Sequence, residues 1–426
     1  MIDIKLIIEK PDFVKDALKK KGWDFKPAPL LELNKKRLEL IKKTETNKAE
    51  QNKLSALVPQ YKKEGKDPQE IFVKVKALAA ENKNGEVELK EVDSKIRDIV
   101  AELPNLPDED LLPGGKENNK VIKEVNKKPA FNFKIKDHVE LATSLGLVDY
   151  DRAAKISGSG TWIYTDLGAQ LEWALINYFI SEHLKNGYQF ILPPHMLNDE
   201  SGFGAGQFPK FRNAVFHVEG FDKPRFLLPT AETALVNFHR NEILKESDLP
   251  KKYFAYTPCY RQEAGSYRTE ERGMIRGYQF NKVEIVQYTT DNGSNQAFEE
   301  LVNIASGLVE KLGLHFRLSK LAAGDCSHSM ARTYDIEVYL PSMDIYKEVS
   351  SASNARDYQA RRTMARYKDK DGKTHYCHTL NASGLATSRL FPAILEQFQQ
   401  EDGSVIIPEV LRPFMGGISK IGPIKK

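Results

Sequence analysis

Between residues 30 and 103 the apolar and polar positions alternate with spacings of three and four. One run reads Leu30, Leu33, Arg37, Leu40, Thr44, Asn47, Gln51, Leu54, Val58, Tyr61. A second reads Ile71, Val75, Leu78, Asn82, Gly85, Leu89, Val92, Ile96, Ile99, Leu103. Such spacing keeps one stripe of a helix apolar. Between the runs lies KKEGKDP, a turn signal with Gly65, and with Pro68 suited to a first helical position. The pattern predicts two antiparallel helices. Folding at the turn sets Tyr61 against Ile71, Leu54 against Leu78, Leu40 against Val92 and Leu33 against Ile99. Polar Asn47 then meets Gly85, and Gln51 meets Asn82, which fixes register at a cost in stability. Each helix of roughly 34 residues would be about 50 Å long. An arm of that length is expected to project from a domain of ordinary size.

The pattern changes after the stretch LPNLPDEDLLPGG, whose prolines and glycines read as linker chemistry. The expected division is a helical domain over 1–105, a linker over 106–119 and a larger domain over 120–426. In the larger domain, residues 166–186 have helical periodicity, with Asp166 as the cap and Gly187 as the stop. YQFILPPHM, PRFLLPTAE, YFAYTPCYRQEA, QFNKVEIVQYT, YDIEVYL and YKEVSSASN read as strands. Further helices are expected over 231–245, 294–312 and 384–400. Hairpin-like strands mixed with helices predict an α+β fold with a mixed, mainly antiparallel sheet.

Composition narrows the function classes. With 41% hydrophobic and 29% charged residues, the 426-residue chain can bury more than one core. No stretch approaches the roughly 20 apolar residues of a membrane span, and the N-terminus lacks the apolar segment of a signal peptide. Three cysteines, Cys259, Cys326 and Cys377, form no CxxC pair and suit a reducing compartment. A cytoplasmic protein is expected. The net charge of +4 does not by itself indicate nucleic acid, but residues 32–66 carry ten Lys and Arg against five Glu. That strip reads either as a solvated helix face or as a phosphate-binding surface.

Four segments concentrate functional side chains. In TPCYRQEAGSYRTEERGMIRGYQFNKVEI, Arg261, Arg268, Arg272 and Arg276 fall within 16 residues. Guanidinium forks match phosphate oxygens, though Glu263, Glu270 and Glu271 could instead pair with them on a surface. In LPTAETALVNFHRNEIL, Thr230 and Glu232 read as a helix cap and a first-turn acid. In YKEVSSASN, Glu348, Ser350 and Ser351 offer hard oxygen ligands suited to magnesium, or alternate on an exposed strand. In HTLNASGLATSRLFPAILEQFQ, small residues open an amphipathic helix that carries Arg389. No Walker or GxGxxG loop is present. The clusters His375-Tyr376-Cys377-His378 and Cys326-Ser327-His328 lack zinc spacing, so zinc is not expected.

Taken in order, ILPPHM, PTAE, YRQEAGS…RGMIRGYQF, TYDIEVYLP, YKEVSSASN, NASGLATSRL and DGSVIIPEVLRPFMGG resemble the seryl-tRNA synthetases, a family of class II aminoacyl-tRNA synthetases. The resemblance spans nearly the whole chain. It implies ATP-dependent activation of L-serine and transfer to serine tRNA, with selenocysteine tRNA left open as a second acceptor. It implies a homodimer built through 171–194, and an N-terminal arm that contacts tRNA. It also implies roles for particular residues. Arg261, Gln262 and Glu263 would meet the α-phosphate and adenine, Phe280 and Arg389 would sandwich the base, and Arg276 and Gly277 would lie at the distal phosphates. Glu348 and Ser351 would hold magnesium, with Val349 and Ser350 beside the nucleotide. Thr230, Ala231, Glu232, Glu284, Asn381 and Ser383 would form the serine pocket.

The chain departs from the family in three places. It has GSYRTEERG for the more usual GSAGRDTRG, GDCSHSMARTYD for GDMGFSAAKTYD, and ATSRLFPAILE for AVGRTLVAILE. Two competing readings are an amino acid:carrier-protein ligase, which would lack the arm, and a non-catalytic serine or tRNA sensor, which would have lost Arg261, Glu348 or Arg389.

Overall fold

A computed structural model describes residues 1–263 and 273–423. The chain divides into two compact units. One contains Ile2–Asp16 and Asp24–Leu103, and the other contains Met1, Ala17–Trp23 and everything from Pro104 onward.

The first unit is dominated by two long helices, α1 (Ala28–Lys63) and α2 (Gln69–Glu102), packed against each other. The less exposed positions of α1 recur at Leu30, Leu33, Arg37, Leu40, Thr44, Asn47, Gln51, Leu54, Val58 and Tyr61, the stripe read from periodicity. On α2, Ile71, Asn82, Val92 and Ile96 are buried. Gly85 sits where an added Cβ would lie 3.2 Å from the Thr44 hydroxyl, so its small size lets the helices approach at the polar middle of the seam. Cross-hairpin ion pairs join Lys36 to Glu88 at 2.6 Å, Arg37 to Asp93 at 2.6 Å and Lys48 to Glu86 at 3.0 Å.

The second unit is built on an eight-stranded sheet. In chain order its strands are β1 (Lys120–Val125), β2 (Gln189–Phe190), β3 (Lys251–Tyr260), β4 (Gln279–Thr289), β5 (Phe316–Lys320), β6 (Arg332–Leu340), β7 (Ile345–Arg356) and β8 (His378–Ala386). Their spatial order is β1-β5-β6-β7-β8-β4-β3-β2. Every pair is antiparallel except β2 with β3. Helices that contribute to the large core beside it include α3 (Asp166–Lys185), α4 (Ser294–Lys311) and α6 (Thr387–Gln397). A short helix, α5 (Tyr358–Thr363), follows β7.

Strand alternation decides which side chains reach the site. On β4, Val283 and Ile285 enter the core with Leu171, Leu175 and Leu301 of the helices, whereas Val286 and Tyr288 enter a second cluster. Phe280, Lys282 and Glu284 share the parity of the second set. One face of the sheet therefore packs on helices, and the other presents polar groups.

Several local expectations change. Asp166 is the first helical residue rather than the cap, a position held by Thr165. The helix expected over 231–245 shrinks to Glu232–Leu235, because Asn241 adopts a positive φ and Ile243–Lys245 pairs as a strand with Arg366–Lys368. The helix expected over 384–400 begins only at Thr387, since Asn381–Ala386 belong to β8. In the stretch read as linker, Leu111 is buried with Leu321, Ala323 and Cys326, and Asp108 pairs with both Arg332 and Arg356 at 2.7 Å.

Candidate active site

The polar face of the sheet gathers residues that are up to 160 positions apart in sequence. Glu284 of β4 lies opposite Ser383 of β8. The Glu284 carboxylate accepts from the Asn381 amide at 3.1 Å and from the Thr230 hydroxyl at 3.2 Å, and pairs with the Lys282 ammonium at 2.5 Å. Lys282 also donates to the Thr230 hydroxyl at 2.8 Å. Thr230 is held from both sides, because the Glu232 backbone N–H donates to its oxygen at 3.2 Å. The cap role read from the sequence and a pocket role thus coexist in one hydroxyl. Ala231 is buried in the second core cluster and fixes the turn through packing.

Glu232 completes the group. Burial, and next the nearby Glu284 charge, push its carboxyl up to about 7. The Gln359 amide, on α5, donates to it at 2.8 Å. Two carboxyl groups face one ammonium in this cluster. That is a site for a cation carrying hydrogen-bond donors.

Arg261 follows β3 directly. Its Nε donates to the Pro229 carbonyl at 3.3 Å, and its guanidinium lies 5.1 Å from the Phe280 ring centroid. The neighbouring Gln262 amide donates to the Val215 carbonyl at 2.8 Å, so its side chain braces the loop. Glu263 has φ of 47° and pairs with Arg276. Gly277 is needed where it stands, because a Cβ there would collide with Trp162. Arg268 and Arg272, with Glu270 and Glu271, lie outside the described residues.

A cavity of about 270 Å³ opens beside this group, lined among others by Arg276, Asp335, Glu348, Ser351 and Arg389. Regular alternation would put Glu348 and Ser351 on opposite faces of β7. A register shift resolves this. Ser351 pairs with Asp335, yet Glu348 pairs with Glu337, so the bulge turns Glu348 toward Ser351. The Ser351 hydroxyl lies 2.7 Å from Asp335 and 3.0 Å from Glu348. Val349 is consumed by the core, and the Ser350 hydroxyl donates to the Ser383 carbonyl at 2.7 Å. Burial, and next the Glu348 charge, raise Asp335 well above the usual carboxylate range. Burial would raise Glu348 as well, but Arg389 and then the Ser351 hydroxyl outweigh it and hold Glu348 below its ordinary value. Arg389 donates to the Glu348 carbonyl at 2.6 Å and lies 3.4 Å from its carboxylate.

The facing carboxylates Asp335 and Glu348, with a hydroxyl between them, suit a divalent cation that takes one or two carboxylates and fills its remaining positions with phosphate and water. Among the described residues no group of three or more His, Cys, Asp or Glu is placed for a metal ion. Sequence reasoning missed Lys282, Asp335 and Gln359. For the first two a signal exists: Lys282 is two residues before Glu284 on one strand, and Asp335 lies in the strand TYDIEVYL. Gln359 has none, since only the packing of α5 brings it to Glu232.

Known proteins resemble this chain over nearly its whole length. Residues 216–398 match the tRNA synthetase class II core domain (G, H, P, S and T), and residues 1–107 match the seryl-tRNA synthetase N-terminal domain. The chain is 56% identical over 422 residues to "Serine--tRNA ligase 2" of Clostridium acetobutylicum, covering 98% of this chain and 99% of that protein. It is 44% identical over 419 residues to the serine--tRNA ligase of Caldicellulosiruptor bescii, covering 98% and 99%. The seryl-tRNA synthetase of Pyrococcus horikoshii, solved in complex with ATP, superposes with a TM-score of 0.94 at 32% identity over 100% of both chains. With both family segments in sequence order and relatives matched over nearly their full length, the chain belongs to the seryl-tRNA synthetases.

Proposed function

We propose that the protein activates L-serine with ATP and transfers it to serine tRNA. The observation that carries this reading is the buried cluster of Glu232, Glu284 and Lys282 with Thr230, Asn381 and Ser383, set beside an arginine- and carboxylate-lined cavity. The two carboxyl groups, Glu232 and Glu284, match the serine ammonium. The surrounding donors and acceptors match the serine hydroxyl. Alanine would leave them unpaired, a penalty that can reject it on the order of 10⁴-fold.

ATP is the cosubstrate. In the reaction the serine carboxylate attacks the α-phosphorus, the bond to the β-phosphate oxygen breaks, and pyrophosphate leaves. This needs no covalent nucleophile from the protein. It needs alignment and neutralisation of charge. Arg261 would hold the serine carboxylate against the α-phosphate, Phe280 and Arg389 would clamp the adenine, and Glu263 would meet its amino group. Arg276 would take the distal phosphates. Asp335, Glu348 and Ser351 would hold magnesium, which neutralises phosphate charge when bound. The 2′- or 3′-hydroxyl of the tRNA terminus would then displace AMP from the adenylate.

In this reading 1–105 is the tRNA-binding domain, 106–119 the linker and 120–426 the catalytic domain. The active protein is a homodimer through 171–194 and works in the cytoplasm. No helix among the described residues is long and apolar enough to cross a membrane. The test is serine-dependent ATP–pyrophosphate exchange followed by charging of total tRNA. Exchange without charging would point to a carrier-protein ligase, and neither activity would point to a sensor.

A further inference from the structure

Glu172 is a buried carboxyl that the chemistry above does not use. It lies on α3, 4% exposed, behind the sheet rather than on its polar face. Its Oε1 accepts from the Asn281 amide at 2.8 Å and lies 2.5 Å from the Thr387 hydroxyl. Asn281 has the opposite strand parity to Phe280 and Lys282, so it points away from the pocket toward α3. The Tyr256 hydroxyl donates to the Asn281 side-chain Oδ1 at 3.1 Å, and the Thr387 hydroxyl lies 3.2 Å from the Asn281 backbone carbonyl oxygen. The β4–β8 register is irregular at this spot, between Lys282 and Glu284, so the ladder alone does not fix the strand end.

We propose that Glu172 is a positioning residue for the nucleotide. From behind the sheet it ties Asn281, next to Phe280, to Thr387, two residues before Arg389, and so sets the spacing of the two groups that would clamp adenine. This role rests on Phe280 and Arg389 clamping adenine. Three elements that no other described hydrogen-bond network joins at this level meet on one carboxyl oxygen: α3, the start of β4, and the first turn of α6. The bond to Thr387 is short and buried, where a hydrogen bond to a charged or polarised group restrains most strongly. The groups facing Glu172 are Tyr164, Tyr256, Asn281 and Thr387, and none of them carries a formal charge at neutral pH.

The test compares Glu172→Leu, Glu172→Gln and Thr387→Val with the unaltered protein. It uses ATP affinity measured by calorimetry without serine, and the KM for ATP and for serine in pyrophosphate exchange. Removing the acceptor in Glu172→Leu is expected to weaken ATP binding about tenfold, with the serine KM within about twofold. Glu172→Gln keeps an acceptor oxygen and is expected to restore ATP affinity. Thr387→Val removes one bond from the other side and is expected to give about a threefold loss, and it decides the matter if Glu172→Leu does not fold. A lowered melting temperature with unchanged ATP affinity would overturn the proposal, as would equal losses in ATP and serine. Exchange by the unaltered protein tests the functional reading separately. If serine exchange is absent but ATP binding responds as described, the functional reading fails and this inference stands.

Discussion

In the hairpin, charged side chains stay in water: the Lys36 and Glu88 side chains are 51% and 45% exposed. In the sheet domain, Lys282 and Glu284 are 7% and 1% exposed and locked into a network with Thr230 and Asn381. The hairpin places its unsatisfied polar group, Asn82, in its own seam. The sheet domain buries a Lys–Glu pair at its pocket, where the hydrogen bonds of Thr230 and Asn381 fix it in place. A solvated charge can be exchanged with little effect on the fold, and suits a long polyanion met at many points. A buried charge is committed to one geometry, and suits a small ligand that must be told from its near neighbours.

The comparison predicts that the two regions can be separated. Deleting residues 36–97 and joining the stumps with a short turn should leave pyrophosphate exchange close to normal and abolish tRNA charging. The seam closes within the hairpin, so shortening it removes facing pairs together. Charging by the intact protein should also weaken steeply as salt rises, because phosphate contacts release counterions, whereas exchange should change little. Lys36, Lys43 and Lys48 already reach acidic residues of α2, so the remaining basic side chains of α1 would carry more of that salt dependence. Normal charging by the shortened chain would remove the arm from tRNA recognition.

The next largest effect belongs to the pocket. Glu284→Gln keeps the shape and removes the charge that faces Lys282. Serine kcat/KM should fall about 100-fold, close to the roughly 3 kcal/mol upper range for a charge-assisted hydrogen bond. ATP affinity by calorimetry should stay within about twofold. An unchanged serine KM would mean that Glu284 serves only the strand pairing.

What the sequence made legible follows the same division. The hairpin seam is a local property, so its period gave both stripes and their packing, although Gly85 meets Thr44 rather than the expected Asn47. The pocket residues were legible only through their combination in order, because Thr230 alone reads as a cap and Glu348 alone as an exposed strand residue. Spacing argued against Glu348 and Ser351 sharing a face, and the bulge that reconciles them depends on β6, a partner strand. Asn281 and Thr387 could not be linked from sequence, since the group that joins them, Glu172, is more than 100 residues away. The helix over 231–245 failed for a related reason: pairing with Arg366–Lys368 outweighed local propensity.

Burial of acids in the sheet domain also predicts a pH signature. Glu172 is pushed up to about 7 by burial, with Thr387, Asn281 and Tyr164 opposing. A carboxyl with a folded pKa above its unfolded value stabilises the fold fully below the unfolded value. That contribution is lost as pH rises through about 7. Buried His183, lowered to about 4 by burial, acts in the opposite sense below about 6.5, and Glu232 shifts the same way as Glu172, so the raw stability curve mixes several groups. The difference between Glu172→Gln and the unaltered protein isolates the carboxyl. That difference should move in favour of the variant by up to about 3 kcal/mol between pH 5 and pH 8, measured by urea unfolding. A flat difference would mean that Glu172 is ionised throughout.

The smallest effects lie in the hairpin, and they show most directly how the two regions differ. Lys36→Ala breaks an ion pair whose partners are both about half exposed. Such pairs contribute little, because solvent screens the attraction and two long side chains must be held in place. Hydrogen-exchange protection of α2 amides should therefore drop by less than about fivefold. Asn82→Leu changes the other side of the balance. The Asn82 amide is buried with neither its nitrogen nor its oxygen partnered among the described residues. Replacing it with an apolar side chain of similar size removes a desolvation penalty of about 1–3 kcal/mol. Protection of the neighbouring α2 amides should rise about tenfold, while pyrophosphate exchange stays unchanged. The gain should come with looser register, because a polar seam position opposes sliding of one helix past the other. Charging would then fall or become heterogeneous even though the hairpin is more stable. If Asn82→Leu lowers protection, the amide has a partner in solution, and the seam is less dry than its packing implies.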